Sequence, residues 1–333
     1  MPPELDIAVP DTSYVPLYPS FAGFTGPEDI LVGQDQLLYV ADTRGDRLVM
    51  LNRAGQVLSE RRMLRPRSVA QDSRLDLLVG GEVVASSGDT VGALFRIHLY
   101  SPSPDSAHRL EVARVDTIWR ELARPARRFP GITVFGDNQY LVVRTGPSNT
   151  SFIDPDGRVL LFRGDDTFST PVSDLWTGTG SGITTINKPT AIASFPGSKD
   201  FVLAQSSEGV TYGAVWMYYK SDEDFQGWLP KFNPDKPEER FIDFIRPNRY
   251  RRPEAVAIDR AAGGSVFVAD AELDSVFKFT GRGRLKAETF GKGRTDGLML
   301  MPTGLAFFQR VLYVLDGERG EILRFRLSTD VPR

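Results

Sequence analysis

Short apolar segments alternate with turn residues along this chain, and one arrangement recurs. A proline opens a segment of small and apolar residues, a turn follows, and a second segment rich in Val, Leu, Tyr and Phe comes next. Three copies are plain: Gly26-Pro27-Glu28-Asp29-Ile30 with Leu38-Tyr39-Val40-Ala41-Asp42, Arg252-Pro253-Glu254-Ala255-Val256-Ala257 with Val266-Phe267-Val268-Ala269-Asp270, and Met301-Pro302-Thr303-Gly304-Leu305-Ala306 with Leu312-Tyr313-Val314-Leu315-Asp316. Weaker copies start at Pro66, Pro130 and Pro189. Short segments punctuated by glycine and proline predict strands, and a proline suits a strand's first residue because no ladder donor is lost there.

Each repeat continues with a third apolar segment, as at residues 47–51, 93–97, 215–218, 275–279 and 321–325. A fourth follows a glycine turn at residues 55–58, 157–160 and 283–286. Six four-stranded antiparallel units predict an all-β fold, a six-bladed β-propeller. Too little chain follows Pro302 for four strands, whereas residues 13–18 precede the first unit without a partner. The N-terminal segment is therefore expected to supply the outer strand of the last blade, closing the ring and removing its exposed edges. This reading makes residues 1–12 a tether and 13–333 one domain. A short helix is expected near Asp116, with Asp116 as its N-cap, Pro125 just past its end and Ile118, Trp119 and Leu122 on one side.

The second-strand motif resembles the NHL repeat, in Leu38-Tyr39-Val40-Ala41-Asp42-Thr43-Arg44-Gly45-Asp46-Arg47-Leu48 and again in Phe267-Val268-Ala269-Asp270 and Leu312-Tyr313-Val314-Leu315-Asp316. The aspartate that closes this strand is replaced by Gly80, Arg144 and Gln205 in the middle blades. The resemblance implies a six-bladed propeller and leaves function open. A more distant resemblance links the chain to gluconolactonase and strictosidine-synthase-like propellers. Met301-Pro302-Thr303-Gly304-Leu305 is similar to their Pro-Asn-Gly-Leu segment, with Thr303 in place of the metal-binding Asn. Arg252-Pro253-Glu254-Ala255 is similar to their Pro-Asp-Gly segment, with Glu254 in place of the Asp. That family implies a metal or catalytic carboxylate in the central channel.

Composition narrows the chemistry. The 333 residues include no cysteine and two histidines, which excludes disulfide frameworks, thiolate metal sites and cysteine nucleophiles. With a formal net charge of −3, the chain is no general polyanion binder. Nucleic acid is not the expected partner, since exposed aromatics do not interleave with the basic residues. No apolar run is long enough for a membrane helix.

Candidate residues fall on one face, the top, where each blade's outer strand passes to the next blade's inner strand and where the longer loops gather. Arginines cluster at these junctions: Arg65 and Arg67, then Arg124, Arg127 and Arg128, then Arg249, Arg251 and Arg252. Guanidinium groups suit bidentate contact with carboxylates or phosphates. Their alternative role is to pair with top-side acids. The residue after each proline should face the channel mouth, which places Glu28, Arg67, Gly131, Thr190, Glu254 and Thr303 in one ring. Two carboxylates there could hold Ca2+ or another divalent cation, or be neutralised by Arg67.

The expectation from these residues is a non-enzymatic scaffold without a cofactor, in a bacterial periplasmic or cell-surface assembly rather than the cytoplasm. Its arginine-rich top face would hold a protein partner, an anionic small ligand or a polysaccharide, and a lipid anchor could lie upstream of the given chain. The alternative is a metal-dependent lactonase or esterase-type hydrolase with Glu28 and Glu254 as ligands.

Overall fold

The computed structural model describes residues 12–100, 108–151, 153–206, 209–261, 264–291 and 298–331. Six antiparallel sheets of four strands form the ring. Blade 1 comprises Asp29–Val32, Leu38–Asp42, Arg47–Leu51 and Val57–Arg62, from channel to rim. Blade 2 is Ser68–Gln71, Leu77–Val84, Thr90–His98 and Arg114–Arg120. Blade 3 is Arg128–Val134, Tyr140–Thr145, Arg158–Phe162 and Phe168–Pro171. Blade 4 is Pro189–Ser194, Phe201–Gln205, Ala214–Ser221 and Gln226–Pro230. Blade 5 is Pro253–Ile258, Val266–Asp270, Ser275–Phe279 and Phe290–Gly291. Blade 6 is Pro302–Phe308, Val311–Asp316 and Glu321–Leu327, completed by Tyr14–Ala22 from the other end of the chain.

The closing strand runs antiparallel to Glu321–Leu327, with Tyr14 opposite Leu327 and Ala22 opposite Glu321. It also seals two blade interfaces. Tyr14 is buried between Phe267 and Phe290 of blade 5, with ring centroids 6.2 and 5.1 Å away. Phe21 joins the cluster between blades 6 and 1. The core is divided in the same way all round the ring: six buried clusters occupy the six blade interfaces. Second strands are buried on both faces and read as nearly continuous apolar segments.

Three local expectations need correction. Residues 114–120 are the outer strand of blade 2, not a helix. Their pairing with Thr90–His98 supplies backbone partners that outweigh a local capping signal. Ile118 and Trp119 pack on the core between blades 2 and 3, while Leu122 is exposed. Residues 158–160 of the expected fourth segment 157–160 belong to the third strand of blade 3, Arg158–Phe162, whose outer strand is Phe168–Pro171. In blade 5 the outer strand is Phe290–Gly291, and Leu285 makes only an isolated bridge to Phe279. Of the expected tether 1–12, residues 1–11 lie outside the described residues. No helix among those described is long and apolar enough to cross a membrane.

Candidate functional site

Five of the six post-proline residues line the top mouth of the channel, Gly131 lining the chamber below instead, and the reason is a repeated irregularity in the inner strands. In blades 4, 5 and 6 the register pairs the proline with the end of the second strand and then skips one residue: Thr190, Glu254 and Thr303 are bulged. In blades 1 and 2 the same doubling sets the amides of Glu28 and Arg67 on Ala41 and Gly80, which already face Asp29 and Ser68. A bulge turns a side chain out of the sheet and is a common device beside functional sites. Glu28, Arg67, Thr190, Glu254 and Thr303 accordingly line one open cavity of about 700 Å3, together with Arg44, Lys188 and Arg252. Below it lies a second chamber of about 360 Å3, which shares Glu28, Pro130 and Glu254 with the first and is also lined by Gly131.

The two mouth carboxylates have different surroundings. Glu28 is clamped, with Arg67 Nη1 donating to both of its oxygens at 2.7 and 3.0 Å. Arg67 is held from behind by Glu82, 3.7 Å from Nη2. Glu82 is buried at the end of the long second strand of blade 2 and also takes Arg128 Nε at 2.7 Å and Arg65 Nη1 at 3.1 Å. Burial raises the Glu28 carboxyl above its ordinary value, and Arg67 opposes the rise.

Glu254 has one charged neighbour within ion-pair distance among the described residues, Arg252 Nε at 3.4 Å. Burial pushes its carboxyl up to about 7; Arg252 pulls it down, while Glu28 and Asp270 add to the rise. A carboxyl with a pKa near 7 is divided between its two protonation states at neutral pH, and Glu254 lines the open cavity. One step further down the channel Asp29 is also raised to about 7 by burial, although the Val69 and Ile30 amides donate to it at 2.9 and 2.8 Å.

The remaining candidates separate by role. Thr190 Oγ1 donates to the Pro253 carbonyl at 2.7 Å and Thr303 Oγ1 to the Pro27 carbonyl at 2.9 Å, so both threonines tie their blade to the next. Arg127 is buried and donates to Glu121, Asp154 and Asp156. The Arg249 side chain is 7% exposed, donates to the Asp243 carbonyl and lies over Phe277 and Phe279. Arg65 and Arg128 converge on Glu82, whereas Arg124 and Arg251 are exposed. The arginines therefore divide among buried networks, the mouth and the outer surface and do not make one face.

Sequence reading missed Arg44, Lys188, Asp29 and Glu82. A partial signal existed for Lys188, which directly precedes Pro189. Glu82 gave none, because its partners lie 15 to 46 residues away and meet it only in the folded ring. As for a divalent cation, Glu28 is already occupied by Arg67, and no group of three or more His, Asp or Glu side chains among the described residues could hold a metal. The mouth residues do not fit a resident cation as they stand.

No family profile matches the chain, and no curated protein matches it. Solved structures do. A structure described as a putative gluconolactonase is 14% identical, with 96% of this chain and 93% of that one covered and a TM-score of 0.59. The soluble aldose sugar dehydrogenase of Escherichia coli, in its apo form, is 13% identical over 95% of this chain and 99% of that one, with a TM-score of 0.62. An auxiliary nutrient binding protein from Bacteroides ovatus is 11% identical over 95% of this chain and 77% of that one, with a TM-score of 0.63. At such identities the likeness establishes the propeller fold. The expectation of a non-enzymatic scaffold with an arginine-rich face is corrected on two grounds. Arg127 and Arg249 are withdrawn into the protein, and the similar structures include one described as a putative gluconolactonase and several sugar dehydrogenases.

Proposed function

We propose that the protein is a hydrolase of lactones or related esters, acting at the top mouth of its channel with Glu254 as the general acid and base. The observation that carries this reading is the contrast at the mouth. One carboxyl is clamped by an arginine, and the other faces the cavity with a pKa near 7. A general base works best when its pKa lies near the working pH. Ionised Glu254 takes a proton from water as the water oxygen bonds to the ester carbonyl carbon. The negative charge that develops on the carbonyl oxygen is met by guanidinium groups of the mouth, with Arg252 and Arg67 within the same cavity. The acyl C–O bond then breaks, and the leaving alkoxide takes the proton back from Glu254. One water is consumed, and a lactone opens to its hydroxy acid.

The experiment is hydrolysis of D-glucono-1,5-lactone and of p-nitrophenyl acetate by the purified protein. Turnover should rise with pH through about 7 and fall about 10²- to 10⁴-fold in Glu254→Gln. Added Ca2+, Mn2+ or Zn2+ should leave the rate unchanged. No turnover with either substrate, with or without those ions, would overturn the reading. Sugar binding without turnover would instead align the protein with its nutrient-binding neighbours.

The same proposal keeps two finer assignments. An NHL-type lineage rests on the matching places of Asp42, Asp270 and Asp316. A periplasmic or surface location draws support from the Bacteroides nutrient-binding neighbours, and cell fractionation tests it.

A further inference from the structure

The lower chamber is chemically unlike the mouth above it. Its walls are the inner strands, each of which is hydrogen-bonded on one side only, so their free edges turn backbone amides and carbonyls toward the channel. Phe307 and Phe308 add aromatic surface. At the upper end stands the Asp29 carboxyl. At the lower end, two residues past the inner strand of blade 5, Arg260 contributes to the wall.

Arg260 is exposed at the rim, and among the described residues it makes no ion pair or side-chain hydrogen bond. Partial burial against the chamber wall lowers its pKa, with no opposing contribution from a carboxylate among the described residues. The Arg260 side chain therefore lines the chamber without an ion-pair partner among the described residues. This distinguishes it from Arg67, Arg96, Arg127 and Arg144, each of which is matched by acids.

We infer that the lower chamber is a second binding site, for a polyhydroxylated monocarboxylate. The ligand's carboxylate would pair with Arg260 at the bottom rim, and its hydroxyls would bond to Asp29 and the free strand edges. A single guanidinium matches a single anionic group; a second one at the other end would meet Asp29 and Glu254. The volume suits a small molecule and no macromolecule. A purely apolar acid would leave the backbone groups of the wall without partners, and such unpaired groups are costly. The site is distinct from the proposed reaction at the mouth and does not depend on it.

Calorimetric titration of the full chain with sodium gluconate at pH 7 and low salt tests the inference without any turnover. Gluconate should bind, with sorbitol and hexanoate at least tenfold weaker. Arg260→Gln should weaken gluconate at least tenfold, and Arg44→Gln, which alters only the upper mouth, should not. Arg260 is exposed and unpaired among the described residues, so an unchanged melting temperature will show that its variant folds. Absence of gluconate binding, equal binding by Arg260→Gln, or equal binding of hexanoate would each overturn the assignment. So would loss of binding in Arg44→Gln alone, which would move gluconate to the mouth.

Discussion

Blades 1, 5 and 6 anchor the chain that enters them differently from blades 2, 3 and 4. In the first set an aspartate at the end of the second strand is fully buried and accepts amides of the incoming loop. Asp42 takes the Thr25 and Gly26 amides, Asp316 the Leu300 amide, and Asp270 those of Arg251 and Arg252 at 2.6 and 3.1 Å. In the second set Gln205 does the work with an amide, accepting from Asn187 and donating to the carbonyls of Thr185 and Tyr212. Arg144 inverts the polarity: it donates to the carbonyls of Asp156 and Pro155 and to the carboxylates of Glu121 and Asp154. At Gly80 there is no side chain, and a Cβ there would stand 2.4 Å from the Phe129 carbonyl. One task, holding the loop that delivers the proline to the mouth, has several chemical solutions. The comparison also bears on the site. The Asp270 latch fixes the two residues just before Pro253 and Glu254 and, through its own charge, helps raise the Glu254 pKa. Asp270 is thus a positioning residue for the proposed base.

Both kinds of seam depend on ring closure, so the largest expected effect comes from removing residues 1–22. That truncation exposes the aromatic cluster around Phe290 and Phe325 and opens an edge on blade 6, and the product should aggregate on size-exclusion chromatography. Next is Arg144→Met, which leaves Glu121 with Arg127 as its remaining cation. A loss of about 3 kcal/mol is expected in urea unfolding, because stripping one partner from a buried ionic network leaves charge uncompensated. A cost near zero would mean that Arg127 alone satisfies the network.

Asp270→Asn should cost about 2 kcal/mol, since an amide nitrogen would then face backbone N–H donors. It should also lower the apparent pKa of the lactone-hydrolysis profile by removing one charge that raises Glu254. The equivalent Asp316→Asn should cost similar stability without moving the profile.

A smaller effect is a pH slope in stability. Glu254 and Asp29 are each raised to about 7 from ordinary carboxyl values near 4. The folded state therefore holds more protons than the unfolded state between these values, and this contribution to stability falls as pH rises from about 4 to 7. Glu254 alone should account for a change on the order of 1–3 kcal/mol, discounted for its partial exposure. Chemical denaturation at pH 4.5 and 7.5 should show a reduced difference in Glu254→Gln. The smallest effect belongs to Arg124→Ser on the outer surface, which should stay within about 0.5 kcal/mol.

Much of this architecture was legible along the chain. Strand alternation and the recurring prolines gave the blade count, the short C-terminal repeat gave the closing strand, and the post-proline rule placed Glu28, Arg67, Thr190, Glu254 and Thr303 at the mouth. These are local signals, set by backbone preference and by which residues repeat at a given step. The outer strands of blades 3 and 5 were less legible, because edge strands are short, half-exposed and free of strong periodicity.

The sequence by itself determined six strand-built units and the residues that ring their axis. Only the tertiary structure decided which of those residues are free to act. Glu28 and Glu254 occupy the same step of the repeat, yet one is bound to Arg67 from the next blade and the other stands almost alone over open space. Charge pairing and desolvation depend on neighbours that lie far apart in the chain, and those neighbours exist only once the ring has closed.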